Sequence, residues 1–226
     1  MATKVNPNDK EAQRRENIEQ TVSATEKFFN ENKKTLWGIV IAIVVIGLGV
    51  LAYSKFVYQP KCAEAMQQMF PAESNFQAGE YELALNGDGN VFGFADVIKE
   101  YGTKAGKAVY FYAGICEYEL GNYNEALNYL KKYNGREPIL AGRAEACKGD
   151  VYVALEDYKS AAAAFASAAA KSDNVFAAGY LLKEGLVHEQ LGDKAAALKC
   201  YKSIKENYPQ AVESYDIDKY IARVAE

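Results

Sequence analysis

Histidine is nearly missing: His188 is the only one in 226 residues. Activated nucleophiles, proton shuttles and most zinc sites depend on imidazole, so little of that chemistry has material to work with. Positive charge is not in excess either. A formal net charge of −4 and a pI near 5.3 argue against a nucleic-acid binder, which usually carries a basic face. Proline occurs five times, and no proline interrupts an apolar periodic run, which leaves room for long helices. The four cysteines, Cys62, Cys116, Cys147 and Cys200, form no C-x-x-C pair and no zinc spacing. They read as small buried hydrophobes, and a Cys116–Cys147 bridge is conceivable in an oxidising compartment. No glycine-rich phosphate loop exists, since the G-D-G-N and G-L-G stretches belong to a turn and to an apolar run. No cofactor, metal or small-molecule substrate is therefore expected, and an enzyme is the remote alternative. What remains is a globular balance, 50% hydrophobic and 25% charged, with alanine-rich segments that favour helix.

One segment stands apart. Thr35 to Ser54 is a run of 20 residues without a charge. As a helix it spans about 30 Å, the hydrocarbon thickness of a bilayer. Lys33 and Lys34 precede it, with Trp37 at one end and Tyr53 at the other, where interfacial belts form. Residues 35–58 are expected to be an uncleaved transmembrane anchor, because the preceding stretch is too long for a signal-peptide n-region. The lysines near the run lean slightly towards an N-terminus inside. In the polar tail, residues 1–34, Ile18, Val22, Thr25 and Phe29 line up on one helical face. A solvated helix leading into the membrane explains that stripe, and an interfacial or docking helix is the alternative.

Beyond the anchor the chain repeats itself. Aligning Ala108–Tyr133, Arg143–Ala168 and Gly179–Ile204 puts Gly114, Gly149 and Gly185 in one column. Gly121, Glu156 and Gly192 follow at a turn, then Ala126, Ala161 and Ala197, then Leu130, Phe165 and Tyr201. A small residue lets two helices approach, and a bulky one on the partner fills the space. Gly121-Asn122 and Gly192-Asp193 are expected to end one helix and cap the next. Each unit is thus a helical hairpin that needs a neighbour to bury its apolar face. Gly79, Tyr81 and Ala84 mark a degenerate earlier unit. The insertion Asn86–Gly106 carries a short helix with Phe94, Val97, Ile98 and Tyr101 on one face. Its Asn86, Asp88, Asn90 spacing imitates a calcium loop but lacks the glycine and the closing glutamate. After Pro209, the stripe Ile217, Tyr220, Ile221 and Val224 is expected to cap the stack. His188 is expected to be a packed, satisfied core histidine.

These columns resemble the tetratricopeptide repeat. The resemblance implies an α-solenoid of helical hairpins, so with the anchor the expected fold is all-α: a single N-terminal transmembrane helix followed by that solenoid. The divisions are residues 59–106 for the degenerate unit and insertion, 107–210 for three units and 211–226 for the cap. It also implies a concave groove lined by the first helix of each unit. Carried over, that groove takes Phe111, Ile115 and Tyr118, then Arg143, Ala146, Asp150 and Val153, then Leu182, Leu186 and Glu189. Such a lining suits an amphipathic helix or an extended hydrophobic peptide, and the alternative is that some of these side chains simply pack the next hairpin.

The tail, the anchor, the GF-x-x-V-I-x-x-Y insertion and tandem repeats ending in YP together resemble the ancillary subunit of the bacterial SecYEG translocon, the YfgM-like family. The NGDGN turn and 17 tyrosines look like a Bacteroidetes-type member. The resemblance implies an inner-membrane protein with a cytoplasmic tail and periplasmic repeats. Its implied partners are the SecYEG translocon and a membrane-anchored peptidyl-prolyl isomerase chaperone, with no nucleic acid. An adaptor for envelope assembly or cell division is the alternative function.

Overall fold

The computed structural model describes residues 7–172 and 174–225, with side chains from Phe28 onward, Asn30 excepted. No strand occurs among the described residues. The chain divides into two compact units, Met1–Gln59 and Pro60–Glu226.

The first unit is helix α1 (Pro7–Tyr53), ending in a π-helical turn, Ser54–Tyr58. Its apolar stretch is long and apolar enough to cross a membrane, and none of that window is buried. A core helix of a soluble protein would bury such a face. Lys33, Lys34, Trp37 and Tyr53 are all exposed. Of the tail stripe, Ile18, Val22 and Thr25 lie outside the described side chains, and Phe29 is exposed.

The second unit is a row of antiparallel hairpins. It begins with α2 (Gln59–Gln77) and a short α3 (Tyr81–Asn86), followed by α4 (Phe94–Tyr101). Three hairpins follow: α5 (Ala108–Glu119) with α6 (Tyr123–Lys132), α7 (Pro138–Ala154) with α8 (Tyr158–Lys171), and α9 (Phe176–Gln190) with α10 (Lys194–Asn207). Helix α11 (Ile217–Ala225) closes the row. Pro71 sits inside α2, so the expectation that no proline interrupts a periodic run fails there. The ring removes one ladder hydrogen bond, and the helix continues because Met69 and Ala72 on either side are buried.

Within each hairpin one contact recurs. A Cβ added at Gly114 would lie 2.7 Å from Leu130 Cγ, and one at Gly149 would lie 2.5 Å from Phe165 Cε1. At Gly185 it would run into the Tyr201 ring. Ala126, Ala161 and Ala197 are fully buried at the same crossings. The glycines therefore set helix separation, and Leu130, Phe165 and Tyr201 occupy the space that closeness leaves. Burying each such large side chain contributes about 1.5–3 kcal/mol.

Cores form between neighbours in sequence. Phe111, Leu130 and Val151 join the α5–α6 hairpin to α7. Ala161, Phe165 and Val187 join α7 and α8 to α9. Tyr201, Ile204, Ile217 and Val224 join the last hairpin to α11. Such nearest-neighbour packing is the energetic pattern of a solenoid. At the other end Phe94 and Val97 of α4 are fully buried, with Phe94 stacked on Tyr112 at 5.6 Å. In the NGDGN turn, Asp88 Oδ1 accepts from the backbone N–H of Asn90 and Val91 at 2.8 and 2.9 Å. Its carboxylate is spent on its own loop, and those bonds hold its pKa below the usual value.

The hairpin turns share a left-handed residue: Gly121 at φ +81°, Glu156 at φ +58° and Gly192 at φ +74°. Asp157 and Asp193 then cap α8 and α10, accepting from Ser160 N at 3.1 Å and Ala196 N at 3.0 Å. Asn122 was expected to cap α6 in the same way and makes no side-chain cap bond. Its amide donates instead to Glu117 Oε2 at 2.8 Å, a charged and hence stronger acceptor. Glu156 alone holds the left-handed turn with a Cβ, which costs roughly 1–2 kcal/mol against glycine. After the entropy that glycine loses on folding, Glu156→Gly is expected to stabilise the protein by about 0.5–1 kcal/mol. Urea denaturation checks it, and a destabilised variant would mean that the Glu156 side chain has a compensating role.

Candidate protein-binding groove

The first helices α5, α7 and α9 run side by side, and side chains at equivalent positions form rows across them. Asp150 and Val153 from α7 meet Lys183, Leu186, Val187 and Gln190 from α9, with Tyr158 and Phe165 of α8 beneath. The cavity they line is about 340 Å³. Lys183 Nζ donates to both Asp150 oxygens, at 2.7 and 2.8 Å, and lies 5.6 Å from the Phe165 ring centroid. One charge of each sign therefore cancels within the depression. Val153 and Leu186 remain exposed at 37% and 38%, as apolar rims on either side. Tyr118 continues the row on α5, where burial and then the Asp150 carboxylate push its hydroxyl pKa up. Asp150, Val153 and Leu186 are thus brought together in one depression, with Tyr118 beside it.

Other expected groove residues lie elsewhere. Phe111 is only 2% exposed and belongs to the core, not the groove. Tyr133, where α6 ends, folds back to put its ring 6.0 Å from Phe111, and α7 closes over both. Ala146 is buried in the core shared with α8. Ile115 and Leu182 are half-buried against the cores of their hairpins. Arg143 is exposed at the start of the α7 row. Glu189 faces the closing helix: it accepts a hydrogen bond from Tyr201 and one from Arg223 Nη2 at 2.6 Å. Partial burial works to raise its pKa, but those two donors outweigh it and hold the carboxyl below its usual range. Its role is to tie α9 to α10 and α11.

Lys183 was missed, although a signal existed. It follows Asp150 by 33 residues, close to one repeat, so the opposite charges had to fall on adjacent first helices. Also unexpected is the surrounding of His188. Its Nδ1 is buried without a hydrogen-bond partner, so this is not the satisfied core histidine expected from its column. Nε2 lies 3.8 Å from Glu184 Oε1, and Cys200 of α10 completes a tight trio. No disulfide joins the cysteines: all four are free, and burial pushes the Cys116 and Cys147 thiols up to about 12 and about 11.

Comparison with known proteins gives the repeats their name. Tetratricopeptide-repeat family models match residues 108–138 and 148–212, the α5–α6 hairpin and the stretch from within α7 to just beyond α10. Two crystal structures of MamA are similar in fold. One is 19% identical with a TM-score of 0.52, covering 72% of this chain and 87% of that one. The other is 18% identical with a TM-score of 0.51, covering 68% and 92%. No curated protein matches the chain.

Core and groove are separable by substitution. Phe111→Ala removes a buried ring and is expected to cost about 3–5 kcal/mol. Val153→Ala, at the exposed rim, is expected to stay within about 0.5 kcal/mol of the parent. Chemical denaturation of the two variants checks the pair, and equal losses would contradict this division.

Proposed function

We propose that the protein is a membrane-anchored scaffold whose tetratricopeptide repeats hold a partner segment beside the bilayer. Solenoids of stacked repeats present extended concave surfaces for binding other proteins. The observation that carries the reading is the charge-compensated, apolar-rimmed groove between α7 and α9. A groove with no net charge and two aliphatic rims favours an apolar face of a helix or strand over an acidic or basic tail. The unburied apolar stretch of α1 supports the anchor. Confinement to the membrane raises the local concentration of the groove for any partner there, so weak contacts suffice.

The finer reading is an ancillary subunit of the SecYEG translocon, working with a membrane-anchored peptidyl-prolyl isomerase chaperone. It rests on the motif order of the tail, anchor, insertion and repeats. In it the tail is cytoplasmic, the anchor lies in the bacterial inner membrane and the repeats are periplasmic.

Two measurements check it. A reporter active only in the periplasm, fused after Glu226, is expected to be active, and activity of a cytoplasm-only reporter there would contradict the topology. A photo-crosslinking residue in place of Leu186 is expected to capture the translocon or the isomerase chaperone from native membranes. Capture of septal or outer-membrane assembly proteins instead would favour the adaptor reading. Val153→Asp with Leu186→Asp is expected to weaken capture at least tenfold without unfolding the solenoid, since both side chains are exposed.

A further inference from the structure

The last hairpin carries a cluster that the groove does not use. Helix α9 presents Glu184 and His188 one turn apart, and α10 presents Cys200. A carboxylate oxygen, an imidazole nitrogen and a sulfur from the three lie within 4.8 Å of one another. We propose that Glu184, His188 and Cys200 form a binding site for a borderline divalent metal ion, with Zn²⁺ the best fit.

Donor chemistry comes first. Thiolate, imidazole and carboxylate are the three ligand types that zinc accepts, and a mixed set of this kind discriminates against the hard cations Mg²⁺ and Ca²⁺. A tetrahedral centre with bonds of about 2.0–2.3 Å spaces its donors about 3.5 Å apart, so no pair of the trio needs to draw in by more than roughly 1 Å. Glu184 and His188 are long side chains that can supply this by rotation. The buried, unpartnered Nδ1 of His188 is the second observation. Buried nitrogens seldom go without a partner, and Nε2, 3.8 Å from the Glu184 carboxylate, is the nitrogen that faces the trio. Third, Zn²⁺ with one thiolate and one carboxylate is neutral overall, which suits a half-buried site where a lone charge is costly. The Glu184 and His188 side chains keep 15% and 20% of their exposure, leaving water room to fill a fourth position.

Linear spacing hides the site. Glu184 and His188 share a helical face, while Cys200 reaches them only because Gly185 lets α10 approach. A cysteine binds a metal as the thiolate, so ligation near neutral pH releases the Cys200 proton to the buffer. The sulfur forms a metal bond as the S–H bond breaks, and no electron is transferred. An ion here would clip α9 to α10 at the end of the row.

The test uses the full chain in detergent, without a histidine tag, with Co²⁺ as the probe. One Co²⁺ per chain is expected, with thiolate-to-cobalt charge-transfer absorption and the intense visible bands of a tetrahedral ion, both lost on adding Zn²⁺. Calorimetry in buffers of different ionisation enthalpy should show about one proton released per ion. Cys200→Ser should abolish the charge-transfer band, His188→Gln should weaken binding at least tenfold, and Cys147→Ser should leave both unchanged. Should Cys200→Ser fail to fold, alkylation of the parent protein decides: Zn²⁺ should slow labelling of Cys200 and not that of Cys62. Absence of the charge-transfer band in the folded parent, its persistence in folded Cys200→Ser, or equal labelling of Cys200 with and without Zn²⁺ would overturn the proposal.

Discussion

The solenoid depends on a single kind of contact, a glycine on the first helix of each hairpin facing a bulky side chain on the second. Gly114 with Leu130, Gly149 with Phe165 and Gly185 with Tyr201 each leave no space for a Cβ. That closeness fixes the spacing within a hairpin, and the spacing decides which residues of α5, α7 and α9 come level. The Asp150–Lys183 pair and the rims Val153 and Leu186 are consequences of that alignment. So is the approach of Cys200 to His188, because Gly185 and Tyr201 adjoin the trio in sequence.

Much of this was legible because each repeat solves one packing problem in the same way. The small–turn–small–bulky columns named the crossing residues, and the stripe Ile217, Tyr220, Ile221 and Val224 named the face that α11 buries or half-buries. The turn column showed Glu156 standing where glycine is favoured. What stayed hidden depends on neighbours rather than on register. Phe111 occupies a groove position, yet Tyr133 and α7 cover it. Glu189 occupies another, but where a further repeat would follow, α11 brings Arg223 to it instead. Asn122 has the right residue type for a cap and turns to a nearby carboxylate. In the first two cases a tertiary partner outweighed the local preference, and in the third a carboxylate five residues back did.

Charge and apolar surface divide the labour along the chain. The stretch from Thr35 to Ser54 places no side chain in a core, and the second unit forms its cores from its own helices. The apolar stretch and the solenoid therefore make separate demands on the sequence, which is why the two could be told apart by composition alone. Among the residues that line the groove, the two charges, Asp150 and Lys183, neutralise each other and leave an apolar surface.

The packing claim is tested most directly by a double-mutant cycle between Gly149 and Phe165, read as unfolding free energy in urea. Gly149→Ala pushes a methyl against the ring, and Phe165→Leu withdraws part of that ring. If the two face each other as described, Phe165→Leu recovers stability in the Gly149→Ala background, with a coupling of about 1 kcal/mol or more. Losses that add to within about 0.5 kcal/mol would mean that these residues do not share the contact on which the solenoid is built.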